Sequence, residues 1–263
     1  MKDEAVTQVL LIRHGETRWN DEGRYQGHSG VELSARGRAQ ARLVARRLAG
    51  RAINARNSMD ARHAMDASGS TDASHAMDAS GSMDARDAID VPYSIGVLYS
   101  SDLPRALETA EIIAAAFPKP LEVRADARLR EMNFGEWEGL TFNEIQERYP
   151  ELALAWLADP VQVRPPGGEN YAEVEARAVT ALRTIAANHV GETVAVVTHG
   201  GPLRALIRHY LDSPPEAAWR FELSTGGISQ VNFLWGGGVS RWDEFVEKHE
   251  VAVINDVAHL DRF

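Results

Sequence analysis

Apolar positions gather along this chain in six short runs: "TQVLLIR" from Thr7, "GVLYSS" from Gly96, "LEVRA" from Leu121, "TVAVVTH" from Thr193, "GISQVNFLW" from Gly227 and "EVAVIND" from Glu250. Several are continuously apolar, which suits strands covered on both faces of a sheet rather than on one. Between them apolar residues recur at helical spacing. "LSARGRAQARLVARRLAG" reads as a helix from a Ser34 cap to Gly50, and "DLPRALETAEIIAAAF" sets Asp102 ahead of Pro104 in a first turn. Strand and helix patterns in alternation predict an α/β fold.

One stretch breaks the alternation. Between Ile53 and Val91 a hexapeptide recurs seven times, with Ile53, Met59, Met65, Thr71, Met77, Met83 and Ile89 each followed by Asn54 or an aspartate. Six residues turn a helix by about 600°, so the repeated apolar position sweeps around the axis and builds no amphipathic face. A period of six is compatible with a strand, but Met, Thr, Ala, Ser and Gly offer little to bury. Residues 53–91 therefore read as a low-complexity insertion forming a mobile loop, with a short ordered repeat or a set of aspartates collecting a divalent ion as the alternatives.

Composition narrows the function classes. The chain has 263 residues, 28 basic against 38 acidic, and a net charge of −10, which argues against a general nucleic-acid or anionic-membrane surface. An anion site would have to be local. Without cysteine there is no disulfide framework, thiolate metal site or cysteine nucleophile. The start, "MKDEAVTQVLLIRHG", has too short an apolar run for a signal peptide, and no run is long enough to span a bilayer. A cytoplasmic protein is expected.

Candidate chemistry sits where strands end. "LLIRHGET" delivers Arg13 and His14, "VLYSSDLPRALETA" delivers Arg105, and "VAVVTHGGPLRAL" delivers His199. In a parallel sheet the carboxyl ends of strands and the following helix N-termini share one edge, where free N–H groups attract anions. Singly, a buried histidine there could be a satisfied core residue, a metal ligand, a general base or a nucleophile. The other histidines, His28 among them, lack the strand-end setting, and their spacing does not read as a zinc site.

Taken in order, "RHGETRWN", "GRYQG", "SSDLPRALETA", "LREMNFGEWEGL", "PPGGEN" and "VVTHGG" make the chain resemble the histidine phosphatase superfamily, the phosphoglycerate mutase-like proteins, over nearly everything except the repeat. The resemblance implies one domain over 1–263, a three-layer α/β/α architecture with a mostly parallel central sheet, and no cofactor or metal. It implies that His14 attacks phosphorus, that Arg13, Arg105 and a cationic His199 hold the phosphoryl oxygens, and that Glu131 exchanges a proton with the leaving oxygen. Glu136 and Glu138 are rivals close in sequence. Thr17, Asn20, Gln26, Gly27 and Gly200 are implied on the substrate side, while Trp19, Trp137 and Phe134 are expected in the core or pocket wall. Gly30 and Glu32 depart from a common aspartate and proline, and Asn170 from a usual serine.

The chemistry suits those roles. A neutral imidazole keeps a lone pair at neutral pH and is a competent nucleophile if its other nitrogen is held by a hydrogen bond. Guanidinium forks can stabilise the charge spread over a transferring phosphoryl group. The expected activity is hydrolysis of a small-molecule phosphate ester through phosphohistidine, on a monomer or homodimer. The alternatives are a cofactor-dependent phosphoglycerate mutase, which must exclude water while phosphohistidine waits, and a non-catalytic phospholigand or protein-binding module.

Overall fold

The computed structural model describes residues 5–50, 95–236 and 248–260; the hexapeptide repeat lies outside the described residues. All six apolar runs are strands: β1 (Ala5–Arg13), β2 (Ile95–Ser100), β3 (Glu122–Ala125), β4 (Thr193–Thr198), β5 (Ile228–Trp235) and β6 (Lys248–Asp256). They form one sheet in the order β3-β2-β4-β1-β5-β6. The pairs β3/β2, β2/β4 and β4/β1 are parallel, whereas β1/β5 and β5/β6 are antiparallel. The fold is therefore α/β with a mixed sheet whose centre is parallel.

Continuous apolarity has a direct cause in this sheet. Successive side chains of a strand point to opposite faces, and in β1 Val9 and Leu11 enter one core while Leu10 and Ile12 enter another. Every residue of β4 is buried. The first core is closed by α6 (Tyr171–Asn188) and α7 (Gly200–Tyr210), which contribute Leu182, Ile185, Leu203 and Leu206. The second is closed by a helix over residues 35–50, here α2, through Val44 and Leu48, and by α3 (Pro104–Ala115) through Ala106, Ala110 and Ile113. Helices on both faces give the three layers.

A smaller apolar cluster stands beside the sheet edge. It joins Met132, Trp137 and Leu140 to Ile145 of α4 (Phe142–Arg148), Ala153 and Trp156 of α5 (Pro150–Ala158) and Val174 of α6. Asn170, where serine was expected, caps α6: its side chain accepts from the Glu173 N–H while Glu173 reaches back to the Asn170 N–H. Asparagine and serine cap about equally well, each worth about 1 kcal/mol over alanine. Among the described residues no helix is long and apolar enough to cross a membrane.

Candidate active site

Parallel pairing brings the three strand ends to one edge. Arg13 lies opposite Thr198 and Ser100 opposite Val197, and the ladder continues one residue further, with His14 N–H donating to the Thr198 carbonyl at 3.0 Å and Ser101 N–H to the Val197 carbonyl at 2.9 Å. His14 and His199 thus become neighbours, their ring centroids 5.0 Å apart. The edge opens into a cleft of about 200 Å³ lined by Arg13, His14, Asn20, Gly23, Arg24, Tyr25, Gln26, Arg105, Glu131 and Phe134. Pockets for drug-sized ligands run to roughly 300–1,000 Å³, so this one suits a small molecule.

The His14 ring is oriented. Its Nδ1–H donates to the Gly15 carbonyl at 2.6 Å, which places the lone pair on Nε2. Burial pushes the His14 pKa well below the usual histidine value, and the Arg105 and Arg13 cations push the same way, outweighing the Gly15 hydrogen bond. His14 in the free protein should consequently titrate below about pH 6.5, the ordinary histidine pKa. Histidine ¹⁵N NMR, assigned with His14→Gln, checks this; an imidazole still protonated at neutral pH would contradict it.

His199 sits in a setting that disfavours its charged form until an anion arrives. It is fully buried, and burial together with Arg105, His14, Arg13 and Arg177 holds its pKa well below the ordinary value. Burial and the neighbouring guanidinium groups, which do not release their protons, both favour its neutral form in the free protein. Its Nε2 pairs with the Ser101 hydroxyl at 2.8 Å, while Nδ1 is buried without a partner among the described residues.

The arginines are held through part of their forks. Arg13 donates from Nη1 to the Leu223 carbonyl at 2.5 Å, and Arg105 donates to the carbonyls of Ser29 at 3.1 Å and Gly27 at 2.8 Å. Burial lowers both pKa values, that of Arg105 to about 10, so both remain cations at neutral pH. The Nε groups of both are buried with no protein partner among the described residues. Buried donors are normally satisfied, so two guanidinium N–H groups and the Nδ1 of His199 mark this edge as suited to an anion.

The structure separates the three glutamates. Only Glu131 lines the cleft. Its Oε1 accepts from the N–H groups of Met132 and Gly201, both at 2.9 Å, and Oε2 has no hydrogen bond among the described residues. Gly201 permits that approach, because a Cβ there would lie 2.3 Å from Oε1. Glu138 instead secures the preceding loop, accepting from His28 N–H at 2.8 Å and the Ser29 hydroxyl at 2.6 Å. Glu136 pairs with the Tyr149 hydroxyl at the surface.

Asn20 and Gln26 line the cleft. Thr17, Gly27 and Gly200 do not appear on its wall. Thr17 is buried as the N-cap of α1 (Arg18–Asp21), its hydroxyl shared with Asn20. Gly27 has φ +49°, a turn conformation that favours glycine, and it presents its carbonyl to Arg105. Gly200 packs against Arg13, whose Nε would stand 3.6 Å from a Cβ there. Phe134 forms part of the wall and Trp137 is core.

Sequence reasoning passed over Arg24 and Tyr25 as lining residues, although both stand in "GRYQG". Arg24 is tied to Glu22 and Glu144 and to the Gly139 carbonyl at the cleft wall. Ser101, whose hydroxyl meets His199 Nε2, is a further residue at this edge. His28 was set aside, yet its Nε2 meets the Glu131 carbonyl at 2.9 Å.

A family model for the histidine phosphatase superfamily (branch 1) matches residues 9–78 and 69–242. Phosphoglycerate mutase-like protein 4 of Arabidopsis thaliana is 33% identical over 261 residues, covering 99% of this chain and 90% of that protein. Phosphoserine phosphatase 1 of Hydrogenobacter thermophilus is 31% identical over 227 residues, covering 86% and 87% respectively. Among solved structures, YhfR of Bacillus stearothermophilus superposes with a TM-score of 0.70 at 29% identity, covering 97% of this chain and all 100% of that one.

Proposed function

This chain belongs to the histidine phosphatase superfamily (branch 1), and on that premise we propose that it hydrolyses small phosphate monoesters through a phosphohistidine on His14. It is a phosphatase, with phosphatase-named relatives along most of its length. The observation that carries the mechanism is the His14 imidazole, oriented by the Gly15 carbonyl, beside buried cationic donors and the one carboxyl that lines the cleft among the described residues.

In the first half-reaction Nε2 of His14 bonds to phosphorus as the ester P–O bond breaks, and the leaving oxygen takes a proton from Glu131. In the second, water attacks phosphorus, the P–N bond breaks, and Glu131 takes a proton from that water. Arg13 and Arg105 supply positive charge to the equatorial oxygens at both transition states. His199 contributes an N–H to the phosphoryl group, and the bound dianion favours its charged form. The phosphatase-named relatives favour hydrolysis over a mutase cycle, in which water must be kept out.

A panel of phosphorylated metabolites, scored for free phosphate and for isomer, tests the assignment. Phosphoserine belongs in it because relatives bear that name. Release of phosphate without isomerisation is expected, and exclusive isomerisation of a phosphoglycerate would overturn the proposal. Because side-chain cations face the phosphoryl group, EDTA should leave the rate within about twofold, unlike catalysis by bound metal pairs. Activity abolished by EDTA and restored by magnesium or zinc would contradict this.

A further inference from the structure

Arg177 lies on α6, away from the cleft wall, and its side chain is only 18% exposed. A guanidinium has five N–H donors, and here each has an acceptor. Nε and Nη2 pair with Glu169 at 2.8 and 2.9 Å. Nη1 donates to the carbonyls of Arg128 at 2.9 Å and Arg130 at 2.6 Å, and Nη2 also donates to that of Glu131 at 2.8 Å. An ion pair alone would need two of these bonds. The other three gather the carbonyls of Arg128, Arg130 and Glu131, which run from the 3₁₀ turn at Ala127–Leu129 into the loop that carries Glu131.

The arrangement continues on the far side of that residue. Glu169 Oε2 accepts from Asn133 N–H at 2.8 Å, and the Asn133 carbonyl accepts from Glu169 N–H at 2.8 Å. Leu129, the carbonyl that Arg177 leaves out, is taken by the Thr198 hydroxyl at 2.7 Å, next to His199 on β4. Backbone on both flanks of Glu131 is thus tied to one half-buried guanidinium–carboxylate pair.

We propose that Arg177 and Glu169 together are the positioning unit for Glu131, fixing its carboxyl at proton-transfer distance from the leaving oxygen. Glu131 stands in the short stretch between the 3₁₀ turns Ala127–Leu129 and Gly135–Trp137, outside any helix or strand, so its side chain would otherwise move with a loop. Displacement of a reacting group by about 1 Å is enough to lose on the order of 10²-fold in rate. This inference rests on the assignment of Glu131 as the proton donor.

Its test compares two leaving groups. In Arg177→Gln, kcat/KM for an alkyl phosphate should fall about 10- to 100-fold, whereas nitrophenyl phosphate, whose phenolate leaves without a proton, should lose less than about threefold. Inhibition by inorganic phosphate should stay within about twofold, because Arg13 and Arg105 are untouched. Arg177→Lys, which keeps the charge and loses the fork, and Glu169→Gln should show the same selectivity at smaller size, and they carry the test if Arg177→Gln does not fold. Equal losses on both substrates, no loss on either, or phosphate inhibition weakened in step would overturn the positioning role. Wild-type turnover of nitrophenyl phosphate and its loss in His14→Ala test the underlying phosphatase reading separately.

Discussion

His14→Ala should lower kcat by about 10⁴-fold or more, the scale on which removal of a nucleophile acts when the surrounding site is left intact. The loss is large because no other described side chain at the cleft is set up to take over. Arg13 and Arg105 stay protonated, His199 has its Nε2 engaged by Ser101, and water alone would have to attack in the first step. Folding should survive, since the histidine is held by a local bond to Gly15 rather than by a buried ion pair. Rapid quenching of the wild type with ³²P-labelled substrate should trap a phosphoprotein that is labile in acid and stable in base, as a phosphoramidate is. Label retained by His14→Ala would remove the assignment.

Glu131→Gln gives the second large effect, and the size depends on the substrate. Glutamine preserves the shape and can still accept from the N–H groups of Met132 and Gly201, so it deletes the transferable proton with little disturbance. Alkyl phosphates should lose about 10²- to 10⁴-fold in kcat, the usual contribution of a general acid. Nitrophenyl phosphate should lose far less in the first half-reaction, and a pre-steady-state burst of nitrophenol would then expose slow hydrolysis of the phosphoenzyme, where Glu131 acts as base. An equal penalty on both substrates with no burst would move the proton to another group. Glu136 and Glu138 are poor substitutes, being bound to Tyr149 and to the loop of His28 and Ser29.

These two residues were legible in the chain to different degrees. His14 follows an apolar run that had to become a strand, because Val9, Leu10, Leu11 and Ile12 have nowhere to go but into the two cores of a sheet. Its place at the carboxyl end follows from the run itself. Glu131 is one of three acids within eight residues, in a segment with no period at all. Only the family pattern favoured it, and its distinction in space comes from the Gly201 amide, seventy positions further along.

Arg177 shows the limit most clearly. On an 18-residue amphipathic helix an arginine at its position reads as an ordinary solvated residue. That it meets Glu169 and three carbonyls of the Glu131 segment depends on how α6 lies against the sheet. The charge of His199 has the same origin. Its residue type is written in "VVTHGG", but its protonation is decided by burial and by Arg105 and Arg13, which reach it from other strand ends.

By itself the sequence determined the six strands, the alternation with helices and the strand ends that carry Arg13, His14, Arg105 and His199. Those features are set by local periodicity and by the cost of leaving apolar runs in water. The antiparallel attachment of β5 and β6 to an otherwise parallel sheet, the use of Thr17 as a cap, the placing of Glu131 rather than its neighbours on the cleft wall and the lowered pKa of His199 were decided only in three dimensions. Each depends on a hydrogen bond or a field between residues distant in the chain or held in one particular loop. No local pattern encodes such a distance, because it exists only once the layers have packed.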